Sequence, residues 1–558
     1  MKYLSQRGVI HIFLLLAALG FMVFLLISNT FSFRDRLFNN LFPKPPSEAA
    51  APSPTDWPQL QYNAQHIGRN SFSVAPDYEV AWVWIDKNHI VKNFVSGPNK
   101  SVTDGFASNF NFTVLFSKQM QPIIANGKAF FGSMNGTIYA VNAATGDNVW
   151  DFTSGGTIMA TAAFDSGVLV FTSMDGSIYG LRENTGVKIW NYQTGAGVNA
   201  APIIQNNTVY VGSRDGNFYA LDLQTGSLKW KYTTRVEPDS PGSPFNKAPI
   251  IAPAVISEDG QTVIFGAENM FLYGLNTANG TEKWSPKKLV GQSFLYSWPV
   301  IKGGKVIVRT MSSMGGAEFL MEDVLAALSP TATWQEEKTA ILNWLNQNPQ
   351  QKTMYVFDVN TGQESYQVAM GRVTGNNFSS HLAVADNQDR ILTYWRIRVA
   401  TFFSQAGSFG TNYCPDMGGL DLTTGDRIRI NNPNSQKFCP ELDNGGQFSV
   451  GGDYLYMANH FRGTSAINLN NGAYTMMTIP VEAVDCGHNR YTGAIIYHGN
   501  DTDNPCNTEV TSGYISSRAV YVNSSGFSGI SIAQVNNEPM LFINEGDAGL
   551  IAALKHKP

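Results

Sequence analysis

The chain has little charge, few cysteines and no long basic stretch, and each shortage removes a class of function. Charged residues make up 15% of its 558 positions, against about 25% in an ordinary globular protein. Lys and Arg number 38 against 43 Asp and Glu, a formal net charge of −5. Without a basic field to neutralise phosphates, general nucleic-acid binding is excluded. Four cysteines are too few for a disulfide-built scaffold, and none sits in a C-x-x-C or C-x-x-C-H motif. Classical zinc ribbons and c-type haem are thereby excluded. No G-x-S-x-G, H-E-x-x-H or P-loop pattern occurs either. In their place stand 52 glycines and many Asn, Ser and Thr, with 43% hydrophobic and 12% aromatic residues. Such a composition suits short strands, tight turns and a sizeable core.

Residues 1–8 carry Lys2 and Arg7, and Val9 to Ile27 is apolar apart from His11. As a helix this run spans about 28 Å, close to a bilayer's hydrocarbon thickness. Ser28-Asn29-Thr30-Phe31 follows it instead of a small-x-small cleavage site, so residues 9–28 read as an uncleaved transmembrane signal anchor with 1–8 cytoplasmic. Residues 29–55 form a Pro/Ala/Ser-rich linker, stiff and without hydrophobic periodicity. The expected location is the cell membrane, single-pass, with the body at 56–556 on the extracytoplasmic side.

That body is repetitive. Ser133-Met-Asn-Gly-Thr-Ile-Tyr-Ala leads to Thr145-Gly146 and Trp150, Ser173-Met-Asp-Gly-Ser-Ile-Tyr-Gly to Thr185-Gly186 and Trp190, and Ser213-Arg-Asp-Gly-Asn-Phe-Tyr-Ala to Thr225-Gly226 and Trp230. Gly146, Gly186 and Gly226 are forty residues apart, the period of one four-stranded propeller blade. The Asn/Asp-Gly and Thr-Gly pairs tolerate positive φ between strands, and the closing Trp is placed to pack on a neighbouring blade. Looser copies carry Gly280 with Trp284, Gly362 with Tyr366, Gly425, and Gly472. Glu545 to Leu554 reads as the third strand of a last unit, whose missing outer strand is available in Tyr78 to Trp84, around Trp82. Joining both termini in one blade removes exposed edges. The expected fold is all-β: an eight-bladed β-propeller of four-stranded antiparallel blades, with seven as the alternative count. Its blade-docking aromatics are Trp82, Trp150, Trp190, Trp230, Trp284 and Tyr366.

At these residues the A-x-D-x-x-T-G-x-x-x-W pattern resembles pyrroloquinoline-quinone-type (quinoprotein-like) propeller repeats. Ala220–Trp230 keeps it whole, Ala140–Trp150 has Asn142 for the Asp, and Gly180–Trp190 departs at Gly180 and Arg182. Asp56-Trp57-Pro58-Gln59, with Gly68 after it, looks like that family's opening sequence. The resemblance implies an eight-bladed propeller. It does not imply an enzyme, since the superfamily holds quinone-dependent dehydrogenases and also non-catalytic scaffolds, such as the lipoprotein of the bacterial outer-membrane barrel-assembly machinery. The dehydrogenases' adjacent cysteines are missing, and their calcium-ligating Glu and Asn and catalytic Asp cannot be carried over. The chain therefore resembles the scaffold members more, and no catalytic, cofactor or metal residue is assigned.

In such blades the loops between strands two and three, and those between blades, share one face. The long insertions fall there: 86–118, 233–246, 311–351, 398–417 and 474–528. Within 311–351, Leu320, Val324 and Leu328 form one helical stripe and Trp334, Ile341 and Leu345 another, with a capping box at Thr333 and Glu336. A helical hairpin over the propeller mouth is expected. Cys414, Cys439, Cys486 and Cys506 all fall on these loops; nearest-neighbour pairing gives disulfides 414–439 and 486–506 among three connectivities, and suits an oxidising compartment. His381, His460, Arg462 and His488 are the loop-face candidates for metal or acid–base work, although histidines without fixed spacing are more often structural. Phe402, Phe403, Phe409 and Tyr413 would stack a sugar or peptide, or pack beneath the hairpin. The functional expectation is a non-enzymatic scaffold presenting its loop-rich face to a protein partner or cell-envelope polymer, with no cofactor. The alternatives are a diverged oxidoreductase using pyrroloquinoline quinone with calcium, or a metal, and then a polysaccharide-binding module.

Overall fold

The computed structural model describes residues 52–86, 89–92, 116–117, 120–235, 248–295, 298–311, 324–325, 327–329, 331–370, 383–384, 390–398, 413–429, 445–459, 463–476, 529–545 and 550–557. The anchor at 9–28 and most of the linker lie outside the described residues. Among the described residues no helix is long and apolar enough to cross a membrane.

Among the described residues eight sheets of antiparallel blades follow one another along the chain, six of four strands and two of five, one of the latter gaining Arg69–Asn70 by a parallel pairing. Blade 1 runs through Ile123–Ala125, Lys128–Gly132, Thr137–Asn142 and Asn148–Thr153. Blades 2, 3 and 4 repeat that plan from Ala163 to Gln193, Ile203 to Thr233 and Val255 to Lys288. Blade 5 spans Val300 to Gln367, blade 6 Ala383 to Arg429, blade 7 Gly445 to Met476, and blade 8 starts with Ile530–Val535 and Glu538–Glu545. The third strand of blade 8 is Leu550–His556, and its fourth is Tyr78–Asp86 from the other end of the chain, paired Trp84 to Ile551 and Tyr78 to His556. In blades 1 to 4 the two central strands are buried almost throughout, as at Val168–Thr172 and Ser177–Arg182, whereas the outer Asn148–Thr153 alternates exposed and half-buried. This gradient follows from stacking blades face to face around an axis, which leaves only the rim in water.

Three expectations need correction. The connection at 86–118 is not all loop: His89–Lys92 turns back onto Tyr78–Asp86 and gives blade 8 a fifth strand. The insertion at 398–417 is partly strand as well. Arg390–Arg398 and Tyr413–Asp421 form a nine-residue ladder in which Cys414 pairs with Ile397, because extending the hairpin satisfies backbone groups that a loop would leave to water. Cys414 is therefore on a strand; its side chain, and Cys439, Cys486 and Cys506, lie outside the described residues, as do both disulfides.

The third correction concerns the helical insertion. A helix does form at Trp334–Gln347, with Thr333 and Glu336 closing the capping box from both sides. It does not lie over the mouth. Its buried residues Ile341 and Leu345 pack with Ala369 and Leu325, and its first turns reach the turn at the outer end of blade 6. Trp334 Nε1 and Lys338 Nζ both donate to Asp426 Oδ1, at 3.1 and 2.7 Å. Arg427 donates to Glu337 Oε2 at 2.9 Å and lies 4.4 Å over the Trp334 ring. The helix thus clamps the rim where blades 5 and 6 meet; periodicity gave its apolar stripe but not the surface that receives it.

Candidate functional site

The blade junctions are built from one device used six times. Trp82, Trp150, Trp190, Trp230 and Trp284 each donate Nε1 to a backbone carbonyl of the next blade: Ala143, Glu183, Leu223, Thr277 and Val359, at 2.8–3.0 Å. Tyr366 donates its hydroxyl to Leu422 at 2.9 Å. Each ring lies on the glycine of the next blade's outer turn, Gly146, Gly186, Gly226, Gly280, Gly362 or Gly425, whose φ values are +63 to +73°. A Cβ on any of them would come within 2.4–2.8 Å of the ring. The glycine of the Thr-Gly pair therefore serves a left-handed turn and close aromatic packing together.

The departure at Gly180 has the same origin. A Cβ there would meet the Trp190 ring at 2.2 Å, and one at Gly274 would meet Trp284 at 2.1 Å. Both tryptophans are 7% exposed, while Trp150 and Trp230, opposite Ala140 and Ala220, stay half-buried.

On the loop face, the repeated Asp of the second turn is an interblade latch. Asp175 accepts from Tyr179 Oη at 2.7 Å, Ser177 N at 2.7 Å and, from the preceding loop, Gly155 N at 2.8 Å. Asp215 does the same with Tyr219, Asn217 and Gly195. Burial works to raise both carboxyls, but these donors hold them below the usual range. The signal was present in the sequence as Asp-Gly-x-x-Tyr, yet only the turn function of the pair was apparent. With their oxygens so engaged, these carboxylates hold blades together.

The residues before these Asp or Asn side chains, Met134, Met174, Arg214 and Glu268, hold equivalent places in the turns between the second and third strands of blades 1 to 4. Arg214 Nε donates to Asn199 at 3.1 Å. Glu268 accepts from Ser293 Oγ at 2.7 Å and Phe294 N at 3.1 Å. Burial pushes its carboxyl up, opposed by those two donors and by Arg214. Sequence reasoning missed Asn199, Arg214 and Glu268, because nothing in their spacing marks them. His381, His460, Arg462 and His488 lie outside the described residues.

A small pocket is lined by Leu60, Thr161, Asn199, Ile251, Pro253 and Trp298 among others, with free space of about 10 Å³. That is roughly one water molecule. Its lining carries no carboxylate and no cation, and a three-ring quinone bearing three carboxylates does not fit these residues. Among the described residues no group of three His, Cys, Asp or Glu could hold a metal ion.

The molecule is thus an eight-bladed propeller with interlocked blades, and its repeats are similar to those of pyrroloquinoline-quinone-type (quinoprotein-like) propellers. Residues 134–315 match the family model described as "Outer membrane protein assembly factor BamB". Among solved structures, quinohemoprotein alcohol dehydrogenase ADHIIG from Pseudomonas putida HK5 is 9% identical with a TM-score of 0.51, covering 90% of this chain and 80% of its own. The Comamonas testosteroni quinohemoprotein alcohol dehydrogenase is 11% identical with a TM-score of 0.50, at the same coverages of 90% and 80%. BamB from Moraxella catarrhalis is 14% identical with a TM-score of 0.42, covering 79% of this chain and 97% of its own. These likenesses concern the fold alone. No curated protein matches the sequence.

Proposed function

We propose that the protein is a non-enzymatic scaffold of the cell envelope, anchored through residues 9–28, carried on the linker 29–55, and offering the loop-rich face of its propeller (56–556) to a protein partner. The observation that carries this reading is how the repeated polar residues are used. Asp175 and Asp215 are spent on latches, and the small pocket lined by Leu60, Asn199 and Trp298 leaves space for about one water. The match of 134–315 to the family of an outer-membrane assembly factor supports an extracytoplasmic setting and a protein as partner.

The reading is tested by titrating the full-length protein, purified in detergent from an oxidising compartment, with pyrroloquinoline quinone and calcium. Bound-cofactor absorbance and Tm are followed together. No saturable change is expected while a quinoprotein control responds. A saturable rise in Tm, as linkage demands of a ligand of the folded state, would contradict the proposal and make the protein a diverged oxidoreductase.

A further inference from the structure

Thr55 to Asn70 has no strand or helix periodicity, yet it is among the most deeply buried parts of the molecule. Trp57, Leu60 and His66 are 0–1% exposed. Its path follows the ring. Gln534 N of blade 8 donates to Thr55 O at 3.0 Å. Trp57 exchanges two hydrogen bonds with Ile124 of blade 1, and Pro58 O accepts from Phe164 N of blade 2. Gln59 Oε1 accepts from Ile204 N of blade 3 at 3.0 Å. Ala64 O accepts from Ile256 N of blade 4, and Gln65 O from Ile301 N of blade 5. Gly68 O accepts from Val450 N of blade 7 at 2.7 Å, beside a short parallel ladder of Arg69–Asn70 with Val450–Gly451. Asn70 Nδ2 then returns to blade 8 at Ile532 O, 3.1 Å.

One short peptide therefore visits the innermost strands in the order in which the blades stand. Those strands present their free edge to the channel, and an unpaired buried N–H is costly; the segment accepts from most of them in turn. Its apolar side chains are distributed the same way: Trp57, Leu60, Ala64 and Ile67 each join a different core cluster. Gln61, Tyr62 and His66 have φ of +50, +78 and +54°, a left-handed backbone that non-glycine residues keep only when surroundings over-determine it.

We infer that Thr55–Asn70 is an intramolecular peptide ligand: the hub of the propeller is a peptide-recognition surface occupied in cis. It closes the ring a second time, independently of the outer strand Tyr78–Asp86. The recognised features are backbone carbonyls offered at blade spacing, the Gln59 and Asn70 amides, and the Trp57 anchor.

The test uses the full-length chain with an N-terminal affinity tag and a protease site inserted between Ser71 and Phe72. After cleavage the tag is expected to retain the 72–558 body on resin under native conditions, although no peptide bond joins them. Gln59→Leu, which removes two hydrogen bonds, should release the body about tenfold faster. Release of the body on cleavage, folded or not, would overturn the inference. Should the insertion prevent folding, hydrogen exchange on the unaltered protein serves instead. The amides of Ile204, Ile256, Ile301 and Val450 should exchange only with global unfolding; exchange at the rate of surface turns would equally overturn the inference.

Discussion

The junctions of blades 1 to 4 and the junction of blades 5 and 6 solve one problem with different parts. In the first set a tryptophan lies on a left-handed glycine and donates to the next blade. Between blades 5 and 6 the aromatic is Tyr366, and the insertion helix brings Trp334, Glu337 and Lys338 to the same place. Tyr366 and Trp334 pack half-buried against one core cluster. A smaller docking ring is thus accompanied by an added one, so the helix belongs to the rim's architecture rather than to a lid. The comparison teaches that an insertion's point of departure does not locate its work. The chain leaves blade 5 on the loop face, yet the helix acts at the outer turn of blade 6.

The comparison can be broken most forcefully at Trp190. Trp190→Ala should cost about 3–5 kcal/mol, the range for deleting a buried aromatic, read as a fall in the denaturation midpoint. Gly226→Ala comes next, at about 3 kcal/mol, combining left-handed strain with a clash on the Trp190 ring. Gly127→Ala supplies the reference: its φ is +72° but nothing lies within 4 Å of the added Cβ, so it should cost only about 1–2 kcal/mol. Equal losses at both glycines would mean that the tryptophan contact contributes nothing. Tyr366→Ala and Trp334→Ala should each cost about 1–3 kcal/mol. The double mutant should exceed their sum, because each ring covers part of what the other exposes. Strict additivity would separate the helix from the junction.

The hub differs from the rim in its response to acid. His66 is fully buried, its Nδ1 lies 3.1 Å from Pro299 O, and its Nε2 has no hydrogen-bond partner. Burial lowers its pKa from 6.5 to about 4, against a smaller upward pull from the Pro299 carbonyl. The folded state therefore favours the neutral ring. This contribution is whole above pH 6.5 and is lost as pH falls from 6.5 towards 4, because the unfolded chain takes up the proton first. The full difference is about 3 kcal/mol at about 1.4 kcal/mol per tenfold. His66→Gln should have a flatter stability profile over that interval, and identical slopes would refute the assignment.

How much of this was legible depended on repetition. The forty-residue period, the outer turns and the closing aromatics recur with fixed spacing, so the regular half and the joining of both termini in blade 8 followed from the sequence. Gly180 looked like a defect, because a pattern records which residue departs and not the ring that sinks into the space. The hub segment was invisible for a different reason. Its Gln and Asn amides and carbonyls answer seven strands from distant parts of the chain, and such contacts leave no period. Arg214 and Glu268 were likewise hidden, as single polar residues at turn positions where blades 1 and 2 carry methionine.

The most direct test of the scaffold account places a photo-crosslinking residue on each face of the full-length protein in its own envelope. Met134, 42% exposed on a loop-face turn, is one position, and Val187, 59% exposed on an opposite-face turn, is the other. The account predicts a discrete protein adduct from Met134 and none from Val187. An adduct from Val187 alone, or from neither while quinone binds saturably, would contradict it.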